Sequence, residues 1–171
     1  MTFSEKDIIT YDNFLSAEDF KSVSDYLKRP KWKWGHGSFS EGGYEFWIMD
    51  LMTEYFFTNK LLNIIIEKTG QDYFLSRCYC NGHTYGTAGT FHQDCLDSDG
   101  RTVLLYANDT WKQQWGGKTV FDIDGKYHYN EFVSNSIVIF PGVIPHRAET
   151  TTRDFTGLRK TVAWKLKLKA S

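Results

Sequence analysis

The feature that most constrains the fold is a change of texture near residue 72. From there on, short runs rich in β-branched and aromatic residues alternate with the turn dipeptides Asp99-Gly100, Gly116-Gly117, Asp124-Gly125 and Pro141-Gly142. Punctuation of this kind separates strands, because glycine and proline supply the dihedrals that tight turns need. The runs 73–80, 90–96, 101–108, 117–123, 127–133, 136–140 and 158–168 are strand candidates. The first third reads differently. Ile8 to Tyr11 is a short strand candidate, and Ser16 with Asp19 makes a capping pair. A helix over 17–28 then puts Phe20, Val23, Ser24 and Leu27 on one face, and Pro30 stops it. Phe56, Phe57, Leu61, Ile64 and Ile65 predict a second helix over 53–68, with Gly70 as its C-cap. Residues 31–47 hold three Trp and little periodicity, which predicts a long loop. Helices first and strands afterwards imply an α+β fold, mainly β: an antiparallel barrel or jelly roll with the N-terminal helices packed on one sheet.

Composition supports one folded unit. The chain has 171 residues, 17% of them aromatic, and only three Pro, which excludes a disordered or collagen-like protein. That length suits a single domain, expected over 1–171, with a helical and loop part at 1–71 and a β core at 72–169. The longest near-apolar run, Leu61 to Ile66, is far short of the roughly 20 residues of a membrane span. No secretory signal is visible at the N-terminus, and three Cys argue against a disulfide scaffold. A net charge of −1 argues against nucleic acid as a partner. The local excess Arg159, Lys160, Lys165, Lys167 and Lys169 reads as the solvated part of a terminal strand.

Chemistry concentrates around Phe91-His92-Gln93-Asp94. In a strand, side chains at i and i+2 share a face, so His92 and Asp94 can reach one ion. His146 follows in Pro145-His146-Arg147. Two His and one carboxylate on one side of a metal leave positions open for a chelating cosubstrate and O2. The same residues also admit a plainer reading, with His92 a core histidine hydrogen-bonded to Asp94.

A series of motifs in order bears on that choice: Arg77-Cys78-Tyr79, Phe91-His92-Gln93-Asp94, Val103 to Trp111, Trp115 to Phe121, Ile137 to Gly142, His146, and Arg159-Lys160-Thr161. Together they resemble the Fe(II)/2-oxoglutarate-dependent dioxygenases, in particular the prolyl 4-hydroxylase-like branch, over about half the chain. Asn13-Phe14-Leu15-Ser16 followed by a helix is similar to the usual entry to that domain.

The resemblance implies a double-stranded β-helix with Fe(II) held by His92, Asp94 and His146. It implies Arg159 as partner of the distal carboxylate of 2-oxoglutarate, since a guanidinium is always charged and binds a carboxylate through two parallel bonds. Tyr106 matches a tyrosine that shares that carboxylate, and Tyr79 one that lines the cosubstrate pocket. The implied activity couples decarboxylation of 2-oxoglutarate by O2 to hydroxylation of a C–H bond, with ascorbate as a reductant. Implied substrates are a prolyl residue in a peptide or protein, or a small molecule, and the Trp-rich 31–47 segment is a candidate lid. Relatives of this compact type occur in bacteria and phages, so the expected compartment is the cytoplasm, the host's if the gene is carried by a phage. A cupin-like metal-binding or small-molecule-binding protein without oxygenase activity is the alternative, and it would not need Arg159 on the inner face. Oligomeric state is not legible.

Strand periodicity separates Arg159 from Lys160. Even positions Leu158, Val162, Trp164 and Leu166 form an apolar face suited to lie beneath the helices. Odd positions Arg159, Thr161, Ala163 and Lys165 form the other face, which places Arg159 and Thr161 together on the cosubstrate. The remaining candidates read plainly. Cys78 and Cys80 lack zinc-site spacing, Cys95 is packed, His128 is exposed, His36 lies in a surface loop, and His83 is a loop or substrate-side residue rather than a fourth ligand.

Overall fold

A computed structural model describes residues 3–37 and 44–169. Ten strands form two antiparallel sheets that make a jelly roll. The larger has the order β1 (Ile9–Tyr11), β8 (Ile137–Pro141), β5 (Gly100–Tyr106), β10 (Arg159–Leu168), β4 (Tyr73–His83), β3 (Phe46–Asp50) and β2 (Lys33–His36). The smaller has the order β7 (Lys126–Asn130), β6 (Thr119–Ile123) and β9 (His146–Ala148). β10, the last strand in sequence, lies mid-sheet between β4 and β5.

The two helices are where periodicity puts them. Helix α1 (Ala17–Leu27) starts at Ser16, whose hydroxyl accepts from Asp19 N–H at 3.1 Å, and it buries Val23, Ser24, Tyr26 and Leu27. The second helix opens with a π-helical turn, Phe56–Leu61, and continues as α2 (Leu62–Thr69). It ends at Gly70, whose φ of 64° is the left-handed C-cap conformation. Both helices cover the outer face of the large sheet, in one apolar cluster with Cys80, Val103, Leu105, Val162, Trp164 and Leu166. Trp164 Nε1–H donates to the Phe57 carbonyl at 2.9 Å, tying the central strand to the second helix. A second cluster lies between the sheets: Tyr79, Leu104, Tyr106, Val138, Phe140 and Ala163 meet Phe121 and Ile123.

Two expectations need correction. Residues 31–47 are not one long loop. They contain β2 and the start of β3, paired through Trp34↔Trp47 and His36↔Phe46. Trp and Phe have high strand propensity, but strands of four and five residues are too short to show a clear alternation. The stretch 90–96 is not a strand either. It makes one isolated bridge, His92↔His146, and no ladder. Residues 38–43 of the candidate lid lie outside the described residues. None of the described helices is long and apolar enough to cross a membrane.

Candidate active site

His92 and Asp94 are held in place by hydrogen bonds from single backbone groups rather than by a strand. His92 N–H donates to the His146 carbonyl and His146 N–H to that of His92, both at 3.0 Å. Asp94 N–H donates to the Gly142 carbonyl at 2.8 Å. These bonds place the irregular segment across the start of β9 and bring the two imidazoles to 4.5 Å between centroids. Each Nδ1 sits against a backbone carbonyl, Thr90 for His92 (2.8 Å) and Ile144 for His146 (2.9 Å). A proton on Nδ1 satisfies that bond and leaves the Nε2 lone pair free. Both Nε2 atoms point at the Asp94 carboxylate, at 3.5 Å from His92 and 3.2 Å from His146. The three donors lie within 4.8 Å of one another.

Electrostatics keep Asp94 ionised. Burial pushes its pKa up, but the Lys165 ammonium first, and then the adjoining His146 and His92 rings, outweigh it and hold the carboxyl well below its usual range. Thr102 Oγ1 donates to the same carboxylate at 2.5 Å, as does Lys165 Nζ. Burial lowers the pKa of His146, favouring the neutral imidazole that a metal requires.

A cleft runs from the triad into the space between the sheets. It has a volume of about 40 Å³ and is lined by His92 and His146 together with Tyr79, His83, Leu104, Thr119, Thr161, Arg159 and Lys165. Arg159 is 1% exposed. Its Nε–H donates to the Gly117 carbonyl at 2.7 Å. Burial brings the guanidinium down to about 10, so it stays charged at neutral pH. Thr161 is also buried, and Ala163 is packed into the core between the sheets. The cleft opens into an outer cavity of about 410 Å³ lined by His36, Phe46, Arg77, Tyr79 and Lys165.

The structure thus brings together His92, Asp94, His146, Arg159, Thr161 and Tyr79. Tyr106 is the exception. Its hydroxyl bonds to Thr119 Oγ1 (2.8 Å) and accepts from Asn130 Nδ2–H (3.0 Å), and the ring is fully buried. It stands behind Thr119 instead of lining the cleft, because the minor sheet packs directly over it.

Other positions differ from expectation. The terminal basic stripe is not uniformly solvated: Arg159 is buried and the Lys165 side chain is 15% exposed. His83 is the last residue of β4, buried at 2% exposure against Phe46. Neither of its ring nitrogens finds a partner among the described residues. Burial first, then the charges of Arg159 and His36, push its pKa down to about 3. His36 lies on β2 and lines the outer cavity, whereas Trp34 and Trp47 pack on each other away from it. His128 is half-buried near Glu5 rather than exposed. Sequence reasoning gave Lys165 and Thr119 no role. Lys165 did carry a signal, since it shares the odd face with Arg159.

No protein-family profile matches the sequence, and no curated protein is significantly similar to it. Solved structures do match over almost the whole chain. A prolyl hydroxylase from Trichoplax adhaerens, in complex with a hypoxia-inducible-factor oxygen-degradation-domain peptide, aligns with a TM-score of 0.73 at 14% identity, covering 95% of this chain and 84% of that one. A 2OG-Fe(II) oxygenase family protein from Burkholderia pseudomallei aligns at 0.75 and 10% identity, covering 95% and 86%. The fold is that of the 2-oxoglutarate/Fe(II) oxygenases. HygX from Streptomyces hygroscopicus, with nickel, 2-oxoglutarate and hygromycin B bound, aligns at 0.67 and 10% identity, covering 94% and 82%. Against this 2-oxoglutarate oxygenase fold, the donor set also fits. Two imidazoles whose Nε2 atoms face one carboxylate suit a first-row divalent ion.

Proposed function

We propose that the protein is a non-haem Fe(II)/2-oxoglutarate oxygenase that hydroxylates an unactivated C–H bond. One observation carries this reading: the buried Arg159 cation lines the same cleft as His92 and His146, the two imidazoles that face the Asp94 carboxylate. His92, Asp94 and His146 hold the iron, and Arg159 takes the distal carboxylate, with Thr161, Thr119 and Tyr79 as walls. A buried cation without an anion is costly, so Arg159 favours a dicarboxylate cosubstrate over a metal protein that lacks one. Iron and 2-oxoglutarate supply the oxidising chemistry toward O2, with succinate and CO2 as by-products and ascorbate as a supporting reductant. The chain's part is to fix geometry. The Nδ1 hydrogen bonds lock both imidazole tautomers, Thr102 orients Asp94, and Tyr79, Leu104 and Phe140 keep the surroundings dry.

For substrate, the likeness to a peptide-bound prolyl hydroxylase supports a prolyl residue in a peptide. The likeness to HygX supports a small molecule equally at the level of fold. The test is succinate formation from 2-oxoglutarate by purified protein with Fe(II), run against a panel of proline-containing peptides and small molecules. Turnover is expected and should vanish in His92→Ala and His146→Ala. Iron-loaded wild type that consumes no 2-oxoglutarate would overturn the proposal.

A further inference from the structure

Four cations line the outer cavity, Arg77, Arg101, Lys165 and Lys167, beside Asp94, Asp97 and Asp99, and two of the four face each other. Lys165 on β10 and Arg77 on β4 are direct cross-strand partners. Like charges in that position repel. Both also crowd one ring: Arg77 Cζ lies 5.0 Å from the Tyr79 centroid and Lys165 Nζ 5.7 Å. The nearby carboxylates are engaged elsewhere. Asp97 and Asp99 each lie 3.4 Å from Lys167. Arg101 gives its donors to the Ser98 and Gly100 carbonyls. Among the described residues Arg77 has no ion-pair partner, and the partner of Lys165 is Asp94, the triad's own carboxylate.

The charge balance of the site follows from these contacts. A divalent ion shares Asp94 with Lys165, and a dianionic cosubstrate neutralises the rest of the ion and Arg159. One positive charge is then left over at Lys165, and Arg77 adds another beside it. A largely buried ammonium whose counter-charge is drawn toward a metal is costly unless a further anion arrives.

We propose that Lys165 and Arg77 form an anion subsite that holds a carboxylate of the substrate, so that the enzyme acts on a carboxylate-bearing molecule. This rests on the oxygenase reading above. Because Lys165 touches Asp94, a carboxylate held there places the carbons next to it beside the triad. The hydroxylated carbon therefore lies within a few bonds of the acid. His36, Phe46 and Tyr79 supply a wall for the remainder of the substrate.

The test uses ligand NMR on protein loaded with Mn(II), whose paramagnetism broadens signals of any molecule held beside it. Matched pairs of acids and amides serve as probes: N-acetylproline and its amide, N-acetylleucine and its amide, all at saturating 2-oxoglutarate. The acids should broaden at concentrations at least about fivefold below those needed for the amides. That preference should collapse in Lys165→Met and in Arg77→Met, with Mn(II) and 2-oxoglutarate affinities measured on the same samples. Equal broadening of acids and amides, or a preference that survives both variants, overturns the subsite. Loss of acid binding as 2-oxoglutarate rises would assign these cations to the cosubstrate and overturn it as well. Wild type that binds neither Mn(II) nor 2-oxoglutarate would overturn the oxygenase reading itself, and the subsite with it.

Discussion

At the scale of single residues, position on a strand decides what a charge can do. Arg159 and Lys160 are neighbours, yet Arg159 is buried against the cleft while Lys160 is half-buried on the other face. Arg159→Ala should weaken 2-oxoglutarate binding at least tenfold, about 1.4 kcal/mol, with Lys160→Ala close to wild type in the same titration. His83 gives a prediction about pH. The folded protein keeps its imidazole neutral down to about 3, whereas the unfolded chain takes up a proton below about 6.5. The unfolded state therefore binds more protons between those values. Stability is fullest above that window and falls as pH drops through it, by at most about 1.4 kcal/mol per pH unit from this group. Denaturant titrations at several pH values should show a shallower loss for His83→Gln than for wild type.

At the scale of elements, the helices were legible because each carries its own instructions. The Ser16 cap, the apolar face of α1 and the left-handed Gly70 are local features, and the structure reproduces them. A Cβ at Gly70 would meet no neighbour within 4 Å. Gly70→Ala should therefore cost only the conformational penalty, roughly 1–2 kcal/mol, with the melting temperature lowered and metal binding unchanged. The β hairpin within 31–47 was not legible. Its strands are only four and five residues long, and β3 is held by pairing with β4 through Trp47↔Gly82 and Met49↔Cys80. The 90–96 segment failed for the opposite reason. Its composition suits a strand, but no full-length partner runs beside it, so only the His92–His146 bridge forms.

At the scale of the molecule, the site is an agreement between distant parts of the chain. His92 and Asp94 meet His146 across about fifty residues, and Arg159 reaches the same cleft from the last strand. A ligand that binds only this assembled state must stabilise it, by about 2.7 kcal/mol at a hundred times its dissociation constant. Mn(II) with 2-oxoglutarate should raise the melting temperature of wild type, EDTA should reverse the shift, and Asp94→Ala should abolish it. The sequence by itself determined the fold class, both helices, the inner and outer faces of β10, and which residues could ligate a metal. Those properties follow from local periodicity, capping and residue chemistry, which the chain carries wherever it lies. Only the tertiary structure decided that Tyr106 stands behind Thr119, that His83 is a buried neutral wall, that His36 rather than the tryptophans lines the cavity, and that Lys165 bonds to Asp94. Each depends on which elements pack over a side chain, and burial by a distant segment leaves no mark in the residues around it.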